Sequence, residues 1–280
     1  MSLAQKAVWI MERNSERDDL TLSAIADACG VSRTHLAHAF VAATGRPVMA
    51  YLRARRLGRA AAKLADGAPD ILGIALDAGY SSHEAFTRAF RDQFGLTPEA
   101  LRERGSTKDL ALTSAPDLNP DATPAIAPPR LVREDTIRIV GLHEALGDQP
   151  WLQIPDLWRR FTPFMQAIAH HLHKMPVAIS ADIASNDDSC IDYWAALEVS
   201  RFGDIAPELS KRELGAQTYA VFDHMAHVSS IPKTYAAIWN EALSAANLTA
   251  LDAPGLERHK PAFDPSTGEG GVEIWIPVRA

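Results

Sequence analysis

The sequence predicts a two-domain protein, in which an all-α N-terminal half precedes an α+β C-terminal half. Residues 1–104 have the apolar spacing of closely packed helices, whereas residues 131–280 mix strand and helix patterns. Between them, residues 105–130 contain five prolines and no apolar periodicity, which is typical of an extended linker. A length of 280 residues leaves each half enough chain for its own core. We therefore expect domains at 1–104 and 131–280, joined by a linker at 105–130.

Composition indicates a cytoplasmic protein that does not associate with membranes. No apolar run approaches the roughly 20 residues that cross a bilayer. The first residues lack the basic and apolar regions of a signal peptide. Cys29 and Cys190 are the two cysteines, and their wide separation excludes a disulfide framework and fits a reducing compartment.

The charge is distributed unevenly between the two halves. The chain has a formal net charge of −7, yet residues 1–105 carry 14 Lys and Arg against 12 Asp and Glu, and the remainder carries 14 against 23. This asymmetry suggests different partners for the two halves. An acidic C-terminal half repels phosphate and tolerates cationic ligands.

Residues 21–40 have the pattern of a helix-turn-helix unit. Gly30 supplies a turn conformation that most residues avoid, and Ser32 can cap the helix that follows. Leu36 and Phe40, four residues apart, face the core. The outer face of this second helix, which would meet a DNA major groove, then carries Arg33, Thr34, Ala37 and His38.

The same pattern returns about 50 residues later, in residues 71–90. Gly79 takes the turn position, Ser82 the cap position, and Phe86 and Phe90 the inward positions. The outer face of the second unit carries His83, Glu84, Thr87 and Arg88. One such pattern is common in helical domains, but two copies with the same offsets are much more specific.

A long helix is predicted between the two units, over residues 47–64. Its basic residues could lie along DNA phosphates. They are Arg53, Arg55, Arg56, Arg59 and Lys63.

Residues 1–104 resemble the DNA-binding domain of the AraC/XylS family. The matching residues are Ile25-Ala26, Gly30-Val31-Ser32, His35-Leu36, Phe40, Gly45, Tyr51-Leu52, Arg56, Ala61, Leu64, Ile74-Ala75, Gly79-Tyr80, Ser82, Phe86, Phe90, Phe94-Gly95-Leu96-Thr97-Pro98 and Arg102. The resemblance implies that the two outer helices enter successive major-groove segments on one face of double-stranded DNA.

The resemblance implies which residues read bases. They are Thr34, Ala37 and His38 in the first helix, and His83, Glu84, Thr87 and Arg88 in the second. Arg88 can donate two hydrogen bonds to guanine. His38 stands where the family often has arginine, and Ala37 offers a methyl group alone, so the first helix is expected to read fewer bases or DNA shape. His35 and Arg56 are expected to be scaffold residues.

The C-terminal half contains strand candidates at 136–142, 191–199, 217–224 and 271–278, and helix candidates at 154–172 and 231–246. Each helix follows a strand and precedes one or two more, which suggests a weak internal repeat. Two unrelated α+β segments would explain the same pattern equally well.

Residues 131–280 resemble the GyrI-like effector-binding domain. The matching segments are residues 138–142, 154–158 with Phe161, 191–193, 219–222 with His224, Tyr235 with Trp239, 256–257, 263–265 and 271–277. The resemblance implies a pseudo-twofold α+β domain with two strand–helix–strand–strand halves and a central cleft.

The last strand suggests the chemistry of that cleft. Alternation places Glu273 and Trp275 on one face, and a carboxylate beside an aromatic wall suits an organic cation. A solvated edge charge is the alternative for Glu273. Glu257 matches the second pocket carboxylate of the family. Tyr193, Trp194 and Phe222 are further lining candidates. Trp158, Phe161, Tyr235 and Trp239 are expected to be core residues.

These observations predict a bacterial transcription regulator that binds double-stranded DNA and is controlled by a cationic or aromatic small-molecule effector. The effector would change the DNA-bound pose or the contact with RNA polymerase. As an alternative, the C-terminal domain hydrolyses or sequesters a reactive or toxic small molecule. We expect no cofactor, no catalytic site and no metal site, since His170, His171 and His173 have no nearby carboxylate or cysteine. Tandem units in one chain allow either a monomer or a homodimer.

Overall fold

The computed structural model describes residues 2–14, 19–114, 116, 124–147, 150–172, 177–181 and 190–279, with the backbone alone for 177–181. Residues 115 and 117–123 of the expected linker lie outside the described residues, as does His173. No helix in the described part of the chain is long and apolar enough to cross a membrane.

The N-terminal domain is helical. Helices α1 to α7 span Leu3–Arg13, Leu22–Cys29, Arg33–Thr44, Val48–Ala65, Ile71–Asp77, His83–Phe94 and Pro98–Arg104. The two expected helix-turn-helix units are therefore α2–α3 and α5–α6.

Local capping explains where the outer helices begin. The Ser32 hydroxyl accepts a hydrogen bond from the amide of His35, and the Ser82 hydroxyl accepts one from the amide of Ala85. Each bond satisfies a backbone donor that the first turn of a helix leaves free. Gly30 ends α2 with a φ of +78°, a conformation that other residues adopt at a cost.

The helical domain has two cores, and α4 belongs to both. Tyr51 and Leu52 pack with α1, α2 and α3, whereas Leu57 and Leu64 pack with α5, α6 and α7. The two units thus form separate apolar clusters on one continuous helix.

The C-terminal domain is built on a sheet whose described strand pairs are all antiparallel. Strands β1 to β9 span Arg130–Glu134, Ile137–Leu146, Val177–Ala181, Ile191–Val199, Ser210–Leu214, Gln217–His224, Thr249–Ala250, Gly255–His259 and Val272–Arg279. The strand order is β1-β6-β9-β8-β3-β4-β2-β5, with β7 paired to β9. The halves β2-α8-β3-β4 and β6-α9-β8-β9 occupy equivalent places on either side of the β3–β8 pair, as the repeat hypothesis predicted.

Helices cover one face of this sheet. Helix α8, Pro150–Phe161, packs on β2 and β4, and a 3₁₀ segment, Thr162–Ala167, follows it. Helix α9, Ile231–Ala237, packs on β6 and β9 and continues through a π turn, Ile238–Ala242, to a last turn at Leu243–Ala245.

The helix predicted at 154–172 extends further along the chain than the helix in the structure. The prediction for 154–172 is wrong, because α8 ends at Phe161 and a 3₁₀ segment replaces the rest. Pro163 has no amide hydrogen to donate to the preceding turn, so it stops the α-helical bonding there.

Candidate DNA interface and effector site

Helix α6 presents its outer face to solvent. Glu84 and Arg88 are exposed, while Phe86 and Phe90 point into the core. His83 is partly buried, with its Nε2 3.0 Å from Glu99 Oε1. The hydroxyl of Thr87 is buried and has no hydrogen-bond partner in the described part of the protein. Arg88 and Glu84 are thus the predicted base-reading residues of this helix that are open to a ligand.

Helix α3 is placed differently from its counterpart. We expected Thr34, Ala37 and His38 on an exposed face, but Thr34 is 5% exposed, Ala37 is 7% exposed and His38 is partly buried. Arg33 alone of the four predicted residues is fully on the surface. The expectation of an open first recognition helix is corrected, because Thr34 and His38 contact the C-terminal domain and Ala37 lies in the core of the helical domain.

The contact between α3 and the C-terminal domain is specific. The His38 ring stacks on the Trp239 ring, with centroids 5.1 Å apart and planes 3° apart. The His35 Nε2–H donates to the carbonyl oxygen of Trp239 at 2.6 Å. The Thr34 hydroxyl donates to the Asp252 carboxylate. Ala39 packs into the apolar cluster that α9 forms with β6 and β9.

Burial at this contact disfavours charged imidazoles. Desolvation lowers the pKa of His38 to about 4, with a smaller lowering from neighbouring His35 and an opposing influence of Asp252. Desolvation also lowers the pKa of His35, although its bond to the Trp239 carbonyl opposes the change. The docked arrangement therefore favours neutral imidazoles.

A buried carboxylate marks the interior of the C-terminal domain. Glu257 on β8 is 5% exposed. It accepts a hydrogen bond from the Tyr235 hydroxyl at 2.9 Å and one from the Tyr193 hydroxyl at 3.4 Å. Desolvation raises the pKa of Glu257, and the two tyrosine bonds oppose that rise. Among the described residues no cation pairs with this carboxylate, and a carboxylate buried in that way is a reason to suspect a binding site.

Aromatic side chains surround this carboxylate. The Trp158 indole donates to the Tyr193 hydroxyl at 3.4 Å, which extends the hydrogen-bonded chain to α8. The Trp151 ring lies 6.2 Å from the Tyr235 ring, between centroids. His259, two residues after Glu257, packs edge-on against Trp158. The surroundings therefore combine one negative charge with several π faces.

The six predicted lining residues divide between the two faces of the sheet. Glu257, Tyr193 and Phe222 lie on the helix-covered face, because Glu257 and Phe222 both pair with Ile274 in register. Glu273, Trp275 and Trp194 lie on the opposite face. A single cavity cannot be lined by all six, which corrects the expectation of one shared pocket.

Glu273 is already engaged on that opposite face. Its carboxylate pairs with Arg130 at 2.5 Å and accepts from the Trp275 indole at 3.0 Å. Glu273 lies beside Trp275, as the alternation of side chains along β9 predicted. Its charge, however, is neutralised by a cation of the chain itself.

Two aromatic residues have roles that sequence reasoning missed. Tyr235 and Trp239 were expected to be core residues, and both are indeed buried. In addition, Tyr235 holds Glu257 and Trp239 holds α3. Their spacing of four residues on one amphipathic helix predicted burial, but nothing in it indicated the polar and interdomain partners.

The fold and these two sites define a class of protein, a helix-turn-helix DNA-binding regulator with a separate small-molecule-binding domain. Residues 25–104 match the helix-turn-helix domain family of AraC type, and residues 127–279 match the family described as the GyrI-like small molecule binding domain. The chain belongs to the AraC-type regulators that carry a GyrI-like C-terminal domain.

Known proteins resemble the chain over nearly its whole length or over one of its domains. Transcriptional regulator Rob of Salmonella typhimurium (strain LT2) is 26% identical over 274 residues, covering 93% of this chain and 92% of that protein. Regulatory protein SoxS of Escherichia coli (strain K12) is 36% identical over 96 residues, covering 34% of this chain and 88% of that protein. The solved structure of SAV2435 bound to tetraphenylphosphonium has a TM-score of 0.46 and 18% identity, covering 55% of this chain and 95% of that one.

Proposed function

We propose that this protein is a transcription regulator controlled by a small organic cation bound at Glu257. The observation that carries the proposal is the buried Glu257 carboxylate, held by two tyrosine hydroxyls that themselves contact the indoles of Trp158 and Trp151. A cation replacing these hydroxyl donors would gain charge pairing in a desolvated site and attraction to the aromatic faces. Because Glu257 is closed to solvent, binding requires that one wall of the site moves.

On the DNA side, we propose that α6 reads double-stranded DNA through Arg88 and Glu84, with His83 and Thr87 at the edges of the contact. An arginine on an exposed recognition helix can donate two hydrogen bonds to guanine O6 and N7. The regulator would act by positioning or contacting RNA polymerase. The domains proposed for these roles are 1–104 and 131–280, joined through 105–130.

The effector proposal is tested by calorimetric titration with tetraphenylphosphonium, an aromatic cation. We expect Glu257→Gln to weaken its binding at least tenfold, because the amide keeps the shape of the site but removes its charge. Glu273→Gln is the matched control on the opposite face of the sheet and should leave the affinity unchanged. Equal affinities for wild type and Glu257→Gln would contradict the proposal.

The DNA proposal is tested by fluorescence anisotropy on the promoter region of the protein's own gene. Arg88→Ala should weaken specific binding by about 5- to 150-fold, the effect of losing one bidentate contact to guanine. Arg13→Ala removes the same charge from an exposed position on α1 and serves as control. If the two variants bind alike, α6 does not read this DNA.

A further inference from the structure

We propose that the docking of α3 on the C-terminal domain is an autoinhibitory contact, which an effector at Glu257 releases. This inference rests on the proposed function. In the docked state the second helix-turn-helix unit is free to bind DNA and the first is not. Effector binding would then convert a one-unit DNA contact into a two-unit contact.

Docking blocks the access of α3 to the major groove. An α-helix with its side chains is about 10–12 Å across, and the major groove of B-DNA is about 12 Å wide. The groove therefore admits one helix and leaves no room for a second layer of protein on its reading face. Because Asp252 bonds to Thr34 and Trp239 of the π turn stacks on His38, α3 cannot enter a groove while it is docked.

The contact with the C-terminal domain uses the outer face of α3, which is the face expected to read bases. Thr34 bonds to Asp252, and His38 stacks on Trp239. These are two of the three residues that the family resemblance assigns to base contacts in this helix. DNA and the C-terminal domain would thus compete for the same side chains.

A residue at the centre of the contact carries an unsatisfied polar group. The Trp239 indole N–H is buried and has no partner among the described residues. A buried donor without an acceptor costs about 1–3 kcal/mol. Docking also strips water from the His38 ring. After release, the ring could be hydrated again or bond to DNA. The closed state is therefore opposed by terms that release would remove.

The helix that begins at Ile231 connects the docking contact to the proposed effector site. Tyr235 and Trp239 lie four residues apart on one helix, and the π turn Ile238–Ala242 begins between them. Tyr235 borders the small gap that Thr34, His38 and Trp239 also line. The hydroxyl of the same tyrosine holds Glu257 at 2.9 Å. A cation that takes the carboxylate removes the acceptor of Tyr235 and frees that side chain to move beside α3.

The energetic condition for such a switch is differential affinity. An effector shifts the equilibrium toward the undocked state only if it binds that state more tightly. By reciprocity, undocking variants should bind the effector more tightly than the wild type.

The experiment compares the full-length wild type with Asp252→Arg. Asp252 is exposed, and its replacement removes the hydrogen-bond acceptor of Thr34. Asp204→Arg makes the same charge change at an exposed site between β4 and β5 and is the control. Hydroxyl-radical footprinting on the promoter region compares each protein with and without tetraphenylphosphonium. Trp239→Ala is a second undocking variant, read in the same way if it folds.

We expect the wild type without probe to protect one major-groove segment, and Asp252→Arg to protect two adjacent segments with at least tenfold higher affinity. Adding the probe should extend the wild-type footprint and change that of Asp252→Arg little. Two protected segments in the wild type without probe would overturn the proposal, as would an equal effect of the probe on both proteins.

Failure of the proposed function has a different signature. If neither the wild type nor Asp252→Arg protects any DNA, the DNA-reading function itself is wrong. Hydrogen exchange then still reports on the contact, because undocking should raise exchange in α3 at least tenfold in Asp252→Arg and not in Asp204→Arg. Unchanged exchange in α3 would overturn the docking role independently of DNA.

Discussion

The imidazole of His38 lies parallel to the indole of Trp239, so that one residue expected to read DNA is stacked on one expected to fill a core. The pair joins the two domains through their side chains. It also places a titratable group in a desolvated contact, which gives the contact a defined dependence on pH.

The docking of α3 should weaken in acid. The pKa of docked His38 is lowered to about 4, whereas an exposed histidine titrates near 6.5. A base with a lowered pKa binds fewer protons in the docked state, so docking is fully favourable above about pH 6.5 and is lost progressively toward pH 4. The charged and titratable groups that face His38 are His35 on α3, Tyr235 on α9 and Asp252 after β7.

The measurement is an NMR titration of the His38 ring in the full chain, with His38→Gln for assignment. We expect an apparent pKa well below 6.5 in the wild type and one close to 6.5 in Asp252→Arg or Trp239→Ala. A normal pKa for His38 in the wild type would mean that α3 is undocked in solution.

Removing the Arg258 side chain should destabilise the C-terminal domain by about 3–5 kcal/mol. Arg258 pairs with Glu198 at 2.7 Å and with Glu134 at 2.8 Å, and its guanidinium lies 4.2 Å from the Trp275 ring centroid. Glu198 is 5% exposed, so Arg258→Ala leaves a buried charge without its partner. Urea unfolding followed by tryptophan fluorescence reports on this domain, since five of the six tryptophans lie in it.

The double variant Arg258→Ala with Glu198→Ala separates the loss of the Arg258 contacts from the cost of leaving Glu198 buried without a partner. We expect it to recover part of the lost stability, because the stranded carboxylate is gone. A double variant at least as unstable as the sum of the single variants would show that the buried charge was not the cause.

Phe90→Ala should destabilise the second helix-turn-helix unit by about 3–5 kcal/mol. Phe90 is fully buried, and its ring contacts those of Phe86 and Phe94 at centroid distances of 5.4 and 4.8 Å. Circular dichroism during thermal unfolding measures the loss, with exposed Asp92→Ala as control. Because α3 belongs to a different cluster, hydrogen exchange in α2 and α3 should change little. Equal loosening of both units would contradict the division into two cores.

Local features of the sequence were enough to predict the helix-turn-helix units and several strands. Ser32 and Ser82 act as caps and Gly30 as a turn through contacts within four residues, so spacing alone predicts them. Strands β4 and β6 have the predicted bounds, since apolar and β-branched residues fill them. Strands β1, β3, β5, β7 and β8 were missed. In β1, β5 and β8 the charged residues pair with residues of neighbouring strands, so their sequences lack the apolar alternation of a strand.

The sites depend on contacts between distant residues. Tyr235 and Glu257 are 22 residues apart, and His35 and Trp239 are 204 apart. No periodicity encodes such pairs. One signal was present in the sequence, since the outer face of α3 carries uncharged Thr34 and apolar Ala37 where that of α6 carries charged Glu84 and polar Thr87. A small apolar residue on a face expected to meet phosphates and bases is better suited to packing against protein.

Helix α4 runs without interruption through both clusters of the helical domain, and its 18 residues make a rod of about 27 Å. Such a rod cannot stretch, so it fixes the distance between the two helix-turn-helix units. A DNA element lengthened by a base pair or two between its recognised segments would also be rotated out of phase. The duplex would then have to bend or twist to keep both segments engaged, so spacing mutations in an operator should be tolerated less well than substitutions within either segment.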